Sequence, residues 1–265
     1  MKLDRAAIVL RPRTVAEVVD LAFRLTFSLA LPLYAKLSAI VLLPVFAGLL
    51  ALRYGAKWEW WSVWFVAIAL ANLAQGIFTV AAGRLIFSEG LGVRDVLAAF
   101  GRRLPSYVAA LVASRIVMAV AALPILALPF AWVALLFVHE ASLLEGAGAV
   151  QACQRASRFV KSRGAQALGL LALLLAGQVG AVLICELLGQ SLLDDVLQLG
   201  KPLGAAFEDG GSPFALAGLL ASVPFVSTAR FLQYIDTRTR ADGWDIQVRF
   251  LAVNAKDAEE RRLAA

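Results

Sequence analysis

The chain has 265 residues, of which 61% are hydrophobic and 17% are charged, and its formal net charge is +6. Soluble domains have about 45 to 50% apolar residues, so this composition excludes an ordinary soluble globular protein. The apolar residues also occur in stretches of about 20, the length that a helix needs to cross the hydrocarbon core of a bilayer. The sequence therefore predicts an all-α integral membrane protein.

Six apolar segments follow one another along the chain, at residues 33–52, 61–86, 105–122, 124–143, 165–188 and 214–235. Consecutive segments predict three hairpins of transmembrane helices. We expect one membrane domain over residues 1–251, followed by a charged cytoplasmic tail over residues 252–265.

A short amphipathic helix is predicted before each hairpin. The first begins at a capping box, because the Thr14 hydroxyl and the Glu17 carboxylate have the spacing that satisfies free backbone donors. The second covers residues 93–104 and the third residues 150–161, and each has an apolar face opposite a charged one. Helices of this kind lie at membrane interfaces. We expect each to be a cytoplasmic interfacial helix that leads into its hairpin.

The positions of the basic residues predict the topology. Twenty of the 25 Lys and Arg residues lie in the N-terminus, the loops after the second and fourth spans, and the C-terminal end, which would share one side of the membrane. The opposite side has only Arg53, Lys57 and Lys201. The positive-inside rule then places both termini in the cytoplasm, with Arg230 near the cytoplasmic end of the last span. Topology thus accounts for the positive charge without nucleic acid.

Polar side chains inside the spans form the candidate intramembrane site, because each is costly in hydrocarbon unless it is paired or wetted. Asn72, Gln75 and Thr79 share one face of the second span, and Arg115 lies near the middle of the third. A central arginine requires a partner, for which Glu186 is a candidate. The candidate site contains Asn72, Gln75, Thr79, Arg115, Gln178 and Glu186. These side chains either hydrogen-bond the helices together or line a path for a solute.

The sequence contains no recognisable catalytic or cofactor motif. One histidine, His139, and two cysteines are too few for an ordinary four-ligand zinc site by themselves. A Gly-Lys-Ser/Thr phosphate loop, a Gly-x-Ser-x-Gly elbow and a His-Glu-x-x-His motif are all missing from the sequence. The neighbouring residues His139 and Glu140 are assigned to the cytoplasmic interface of the fourth span. We therefore expect neither an enzyme nor a bound cofactor.

Basic residues near the cytoplasmic side predict a platform for anionic lipid or an acidic partner. At the end of the last span, Asp236 and Arg240 have the i, i+4 spacing of a helical ion pair, and an amphipathic segment begins at Trp244. The candidate platform contains Arg155, Arg158, Lys161, Asp236, Arg238, Arg240 and Trp244.

Two stretches carry a family resemblance: the tripeptide at 144–146 with the run at 150–161, and Tyr-Ile-Asp-Thr-Arg-Thr-Arg at 234–240 with Gly-Trp-Asp at 243–245. They resemble the cytoplasmic segment and the Tyr-x-Asp-x-Arg ending of the bacterial glycerophosphoryl diester phosphodiesterase membrane domain. The resemblance covers about residues 11–251 and implies a multi-pass protein of the bacterial inner membrane. It does not imply hydrolysis here, because the phosphodiesterase barrel joined to such domains has no room in this chain.

These observations lead to two alternative functions. The first is a non-catalytic membrane scaffold or accessory subunit whose basic cytoplasmic face contacts lipid headgroups or a partner. The second is a transporter or channel component that uses a polar cavity between the helical repeats. The expected partners are anionic membrane lipids and a protein partner or second copy, and no nucleic acid.

Overall fold

The computed structural model describes residues 13–85, 91–161 and 163–241, and all regular structure within them is helical. Five of the described helical segments are long and apolar enough to cross a membrane: Leu31–Gly55, Trp60–Leu85, Val93–Ala122, Gly164–Val196 and Pro213–Thr239. The predicted amphipathic segment that begins at Trp244 and the tail over residues 252–265 lie outside the described residues.

Eleven α-helices are described. They are α1 (Val15–Arg24), α2 (Leu31–Leu37), α3 (Leu43–Leu50), α4 (Trp60–Leu85), α5 (Val93–Ala122), α6 (Leu128–Ala134), α7 (Val138–Leu143), α8 (Ala149–Lys161), α9 (Gly164–Ser191), α10 (Ala206–Asp209) and α11 (Pro213–Ala241). Four π-helical turns interrupt or extend them, at Leu25–Leu29, Ser38–Leu42, Ala51–Gly55 and Leu192–Val196.

The first predicted amphipathic helix is confirmed as α1. Its capping box is formed, since the Thr14 backbone N–H donates to Glu17 Oε2 at 2.8 Å and the Glu17 N–H donates to Thr14 Oγ1 at 3.3 Å. The apolar face of α1 buries Val18 and Ala22, and the helix packs against α11. The predicted third amphipathic helix is also present, as α8.

Prolines account for the irregular course of the first span. A proline within a helix lacks the N–H that would bond the carbonyl four residues earlier, and its ring clashes with that carbonyl. Pro32 and Pro44 stand just after the π-helical turns Leu25–Leu29 and Ser38–Leu42, which absorb the mismatch. The segment therefore remains helical from Leu31 to Gly55 without being a single regular α-helix.

The second predicted amphipathic helix and the third predicted span are one continuous helix rather than two elements. Helix α5 runs through Pro105, whose missing donor frees the carbonyl of Gly101. Gly101 is exposed, so that carbonyl can be solvated and the helix does not have to break.

The fourth predicted span, residues 124–143, is not described as a single membrane-crossing helix. It consists of a 3₁₀ turn at Ile125–Ala127 followed by α6 and α7, and the apolar stretch Leu128–Leu143 is shorter than the five long segments. Pro124 and Pro129 explain the irregular start. Between α6 and α7 the backbone forms tight turns with hydrogen bonds three residues apart. The Leu136 N–H donates to the Val133 carbonyl at 3.1 Å, and the Val138 N–H donates to the Leu135 carbonyl at 3.2 Å.

Helix α11 occupies the centre of the bundle, where it packs against α9, α4 and α1. Its contact with α9 depends on Gly218. A Cβ atom at this position would lie 2.5 Å from the Ala181 carbonyl oxygen and 2.7 Å from Val182 Cα. Both are backbone atoms, so the two helices can approach this closely only because residue 218 has no side chain.

We predict that Gly218→Ala destabilises the protein by about 1 to 3 kcal/mol, because overpacking at the backbone outweighs a gain of about 1 kcal/mol in helix propensity. The measurement is a denaturant titration in detergent. Gly177→Ala on α9 is the matched control, since a Cβ atom there meets no heavy atom within 4 Å. An equal effect of the two substitutions would contradict the close α9–α11 contact.

Candidate functional site

A cavity of about 440 Å³ lies among α4, α5, α6, α7, α9 and α11. Most of its wall is apolar. The polar or charged side chains in the wall are Asn72, Gln75, Ser114, Arg115, His139, Gln178 and Arg230. The cavity thus brings together polar side chains from four of the long apolar segments and from the short helix α7.

A buried ion pair between Arg230 and Glu140 lies at the wall of this cavity. Arg230 on α11 donates from Nε to Glu140 Oε1 at 2.8 Å and from Nη1 to Gln75 Oε1 at 2.7 Å. Arg230 is 6% exposed and Glu140 is fully buried. A charge at such a position requires an opposite charge and hydrogen bonds to offset the loss of hydration. These contacts join α11, α7 and α4 through one guanidinium group.

A second hydrogen-bonded group adjoins the ion pair. The Tyr107 hydroxyl donates to the Asn72 carbonyl at 2.9 Å and lies 2.7 Å from His139 Nδ1. The tautomer of His139 sets which of these two atoms donates in that contact. Gly76 allows this arrangement, since a Cβ atom there would lie 2.7 Å from the Tyr107 ring.

Arg115 on α5 also lines the cavity and is exposed. Its Nη2 donates to Asn72 Oδ1 at 2.8 Å, its Nη1 lies 3.4 Å from Met118 Sδ, and the Asn72 amide donates to the Ile68 carbonyl at 2.7 Å. Both partners of Arg115 are neutral. Within the part of the chain that the structure describes, no carboxylate forms a salt bridge with Arg115.

Four of the six residues of the predicted intramembrane site line this cavity: Asn72, Gln75, Arg115 and Gln178. Gln178 donates to Ser222 Oγ at 3.2 Å, which links α9 to α11. Thr79 is buried away from the cavity and donates to the Gln75 carbonyl at 3.0 Å, one helical turn earlier.

Glu186 belongs to a different network and does not pair with Arg115. Its carboxylate accepts the Ala206 N–H at 2.8 Å, the Gln190 amide at 3.1 Å and the Ser212 hydroxyl. These bonds attach the connection between α9 and α11 to the end of α9. Glu186 does not reach Arg115 because the helical rise places it about 12 Å beyond the level of Gln178, which lines the cavity from the same helix.

The sequence predicts that Arg230, His139 and Glu140 lie near the cytoplasmic ends of their spans. In the structure all three side chains are buried. Tyr107 was not singled out at all. The available signal was the presence of one acidic and one basic residue in two separate apolar segments, which are candidates for a buried ion pair.

At the other candidate site, Glu145 is the centre of a polar cluster. It accepts from Arg155 Nη1 at 2.5 Å, lies 3.3 Å from Arg238 Nη1 and accepts from the Tyr234 hydroxyl. Asp236 is buried and accepts the Arg13 N–H at 2.8 Å.

The other residues of the predicted platform do not join the Glu145 cluster in the described contacts. Arg158 and Lys161 are exposed on α8. The Arg240 side chain, and with it the predicted Asp236–Arg240 pair, lies outside what the structure describes, as does Trp244.

The described residues contain no group of three or more His, Cys, Asp or Glu side chains that could hold a metal ion. No protein-family model, curated protein or solved structure matches the chain. The functional assignment therefore rests on the geometry of the cavity and its charged walls.

We predict that Glu140→Ala lowers the free energy of unfolding by about 3 to 5 kcal/mol, because it leaves the buried Arg230 without its counter-charge. Asp20→Ala is the control. It removes an exposed salt bridge, 3.1 Å from Arg24, and is expected to cost about 0 to 1 kcal/mol. Unfolding of both variants by denaturant in detergent measures the difference, and equal losses would contradict the buried pair.

Proposed function

We propose that this protein is a transporter or channel component of the bacterial inner membrane, and that its solute occupies the cavity beside Arg115 and Arg230. The cavity is the single observation that carries this proposal. It combines two guanidinium groups and several amides within helices that are otherwise apolar. No catalytic step is assigned to the chain.

The energetic cost of Arg115 supports a solute site over a purely structural one. An arginine near the middle of a span costs about 2.5 to 3.5 kcal/mol on insertion scales. Hydrogen bonding between helices needs only neutral side chains and contributes about 0.6 to 2 kcal/mol. Among the described residues, Arg115 bonds Asn72 and Met118. Two neutral partners do not require a charged side chain, whereas contact with a solute would account for one.

The proposed topology has six spans in three hairpins, with both termini in the cytoplasm. The distribution of basic residues supports this orientation. The stretch Leu128–Leu143 is the proposed fourth crossing, paired with α5, against which α6 and α7 both pack. A short and broken crossing is tolerated where protein or a polar cavity surrounds it, and α7 meets this condition because all its residues are buried.

A basic cytoplasmic platform for anionic lipid or a protein partner is the second candidate function. The exposed residues Arg158 and Lys161 on α8 favour it. Arg155 and Arg238 contribute less free charge to this surface, because both pair with Glu145.

A solute path predicts that water reaches the cavity, and cysteine labelling tests this. Ser114→Cys places a thiol in the cavity wall on α5, whereas Val112→Cys places one on an exposed, non-lining position of the same helix. Both variants are made with Cys153→Ser and Cys185→Ser and treated, in opened membranes, with a charged thiol reagent. Because only a hydrated thiol ionises and reacts, we expect residue 114 to react roughly tenfold faster or more.

Equal rates at the two positions, or no reaction at residue 114 under conditions that label an exposed loop position such as Lys201→Cys, would contradict a hydrated path. Both variants must retain the thermal stability of the cysteine-free protein, so that labelling reports the folded state.

A further inference from the structure

The charges around the cavity do not cancel. Arg230 is balanced by Glu140 at 2.8 Å. Arg115 has only neutral partners among the described residues, namely the Asn72 amide oxygen and the Met118 sulfur. Arg115 is exposed on α5, and its positive charge is uncompensated by the described protein contacts, so a bound anion would supply the missing charge.

Arg230 also lines the cavity and has one donor that is not used. Its Nε and Nη1 are used by Glu140 and Gln75, but Nη2 is buried and has no hydrogen-bond partner among the described residues. A buried donor without an acceptor is costly. Arg115 and Arg230 both line the cavity, and guanidinium groups are well suited to carboxylate and phosphate oxygens.

The rest of the cavity wall has the opposite character. On α9 the lining residues are Leu171, Leu174, Leu175, Gln178, Val179 and Val182, which cover about 16 Å of helix. Gln178 is the single polar member, and its amide is bonded to Ser222. Such an apolar wall favours binding of a hydrocarbon chain over a fully hydrated ion, because contact with the wall removes the apolar surface of the chain from water.

Two apolar residues of the cavity wall are also exposed. Ile68 on α4 and Val179 on α9 line the cavity, yet they are 51% and 56% exposed. Both lie within segments that are long and apolar enough to cross a membrane. Their exposed surfaces would face lipid, so an apolar ligand could pass between the hydrocarbon and the cavity without crossing water.

We propose that the cavity binds an amphiphilic anion, with a carboxylate or phosphate head at Arg115 and Arg230 and a hydrocarbon part along α9. This inference rests on the proposed function and specifies the chemical class of its solute. The anionic group provides the counter-charge for Arg115, and the hydrocarbon part covers the leucine and valine wall.

Binding to the purified protein in nonionic detergent tests the inference, with calorimetry and thermal unfolding as readouts. Octanoate and octyl phosphate represent the amphiphilic anion, acetate and inorganic phosphate the free anion, and octyltrimethylammonium an amphiphile of opposite charge. We expect at least one of the first two to bind saturably and raise the unfolding temperature. The free anions and the cation should bind at least about tenfold more weakly, because each lacks one of the two contacts.

Variants then locate the site. Arg115→Gln should weaken binding of the amphiphilic anion by about tenfold or more, the loss expected for a charge-assisted contact. Arg102→Gln is the matched control, because Arg102 is exposed on the same helix and does not line the cavity; it should leave the affinity unchanged. If Arg115→Gln does not fold, the wild-type probe series still decides the matter.

Several outcomes would overturn the inference. They are the failure of both octanoate and octyl phosphate to bind, equal binding of the free anions or the cation, and full affinity in a folded Arg115→Gln variant. A hydrated Ser114→Cys position combined with any of these results would leave the proposed solute path intact and reject only the ligand class. An unreactive Ser114→Cys position would count against the path itself.

Discussion

The ion pair between Arg230 and Glu140 is the constraint on which the centre of the structure depends. Arg230 lies on the central helix α11, and its hydrogen bonds to Glu140 and Gln75 connect this helix to α7 and α4. Removing either partner would leave an unpaired charge in the bundle, which is much more costly than losing an apolar contact. The pair therefore requires α7 to enter the bundle at the depth of Arg230, and the tight turns between α6 and α7 make this possible.

The same arrangement separates the charges of the cavity. Glu140 is committed to Arg230, and Asn72 divides its side chain between Arg115 and the Ile68 carbonyl. One guanidinium group is thus balanced and the other is not, although both line one cavity. A bundle stabilised only by neutral hydrogen bonds would show no such imbalance. The positive charge, the neighbouring apolar wall and the exposed edge at Ile68 together favour an anionic amphiphile.

Local patterns in the sequence predict much of the fold. The remaining features depend on contacts between segments that are distant in the sequence. The capping box of α1 and the apolar lengths of the spans depend on neighbouring residues, so both could be recognised. The fused helix α5 and the broken stretch Leu128–Leu143 depend on whether each proline can be accommodated, which the surrounding packing decides. The sequence alone does not contain that packing.

Site residues could be predicted where a polar residue stands alone in an apolar segment, but not where it lies next to the polar residues at the end of a helix. Asn72 and Arg115 are conspicuous between apolar neighbours. Arg230, in contrast, precedes a series of polar residues that resembles a cytoplasmic exit. In the structure Arg230 and the following Gln233 are buried, because α1 and α4 pack around this part of α11. Burial by other helices has no local signature in the sequence.

The central claim is that Arg115 and Arg230 together contact an anionic head within the membrane. Solid-state magnetic resonance can measure this directly, through the dipolar coupling between ¹⁵N-labelled arginine side chains and the ¹³C-labelled carboxylate of bound octanoate in liposomes. The account predicts a strong coupling in the wild-type protein that persists in Arg102→Gln and falls sharply in Arg115→Gln. Bound octanoate with no coupling to any arginine side chain would contradict it.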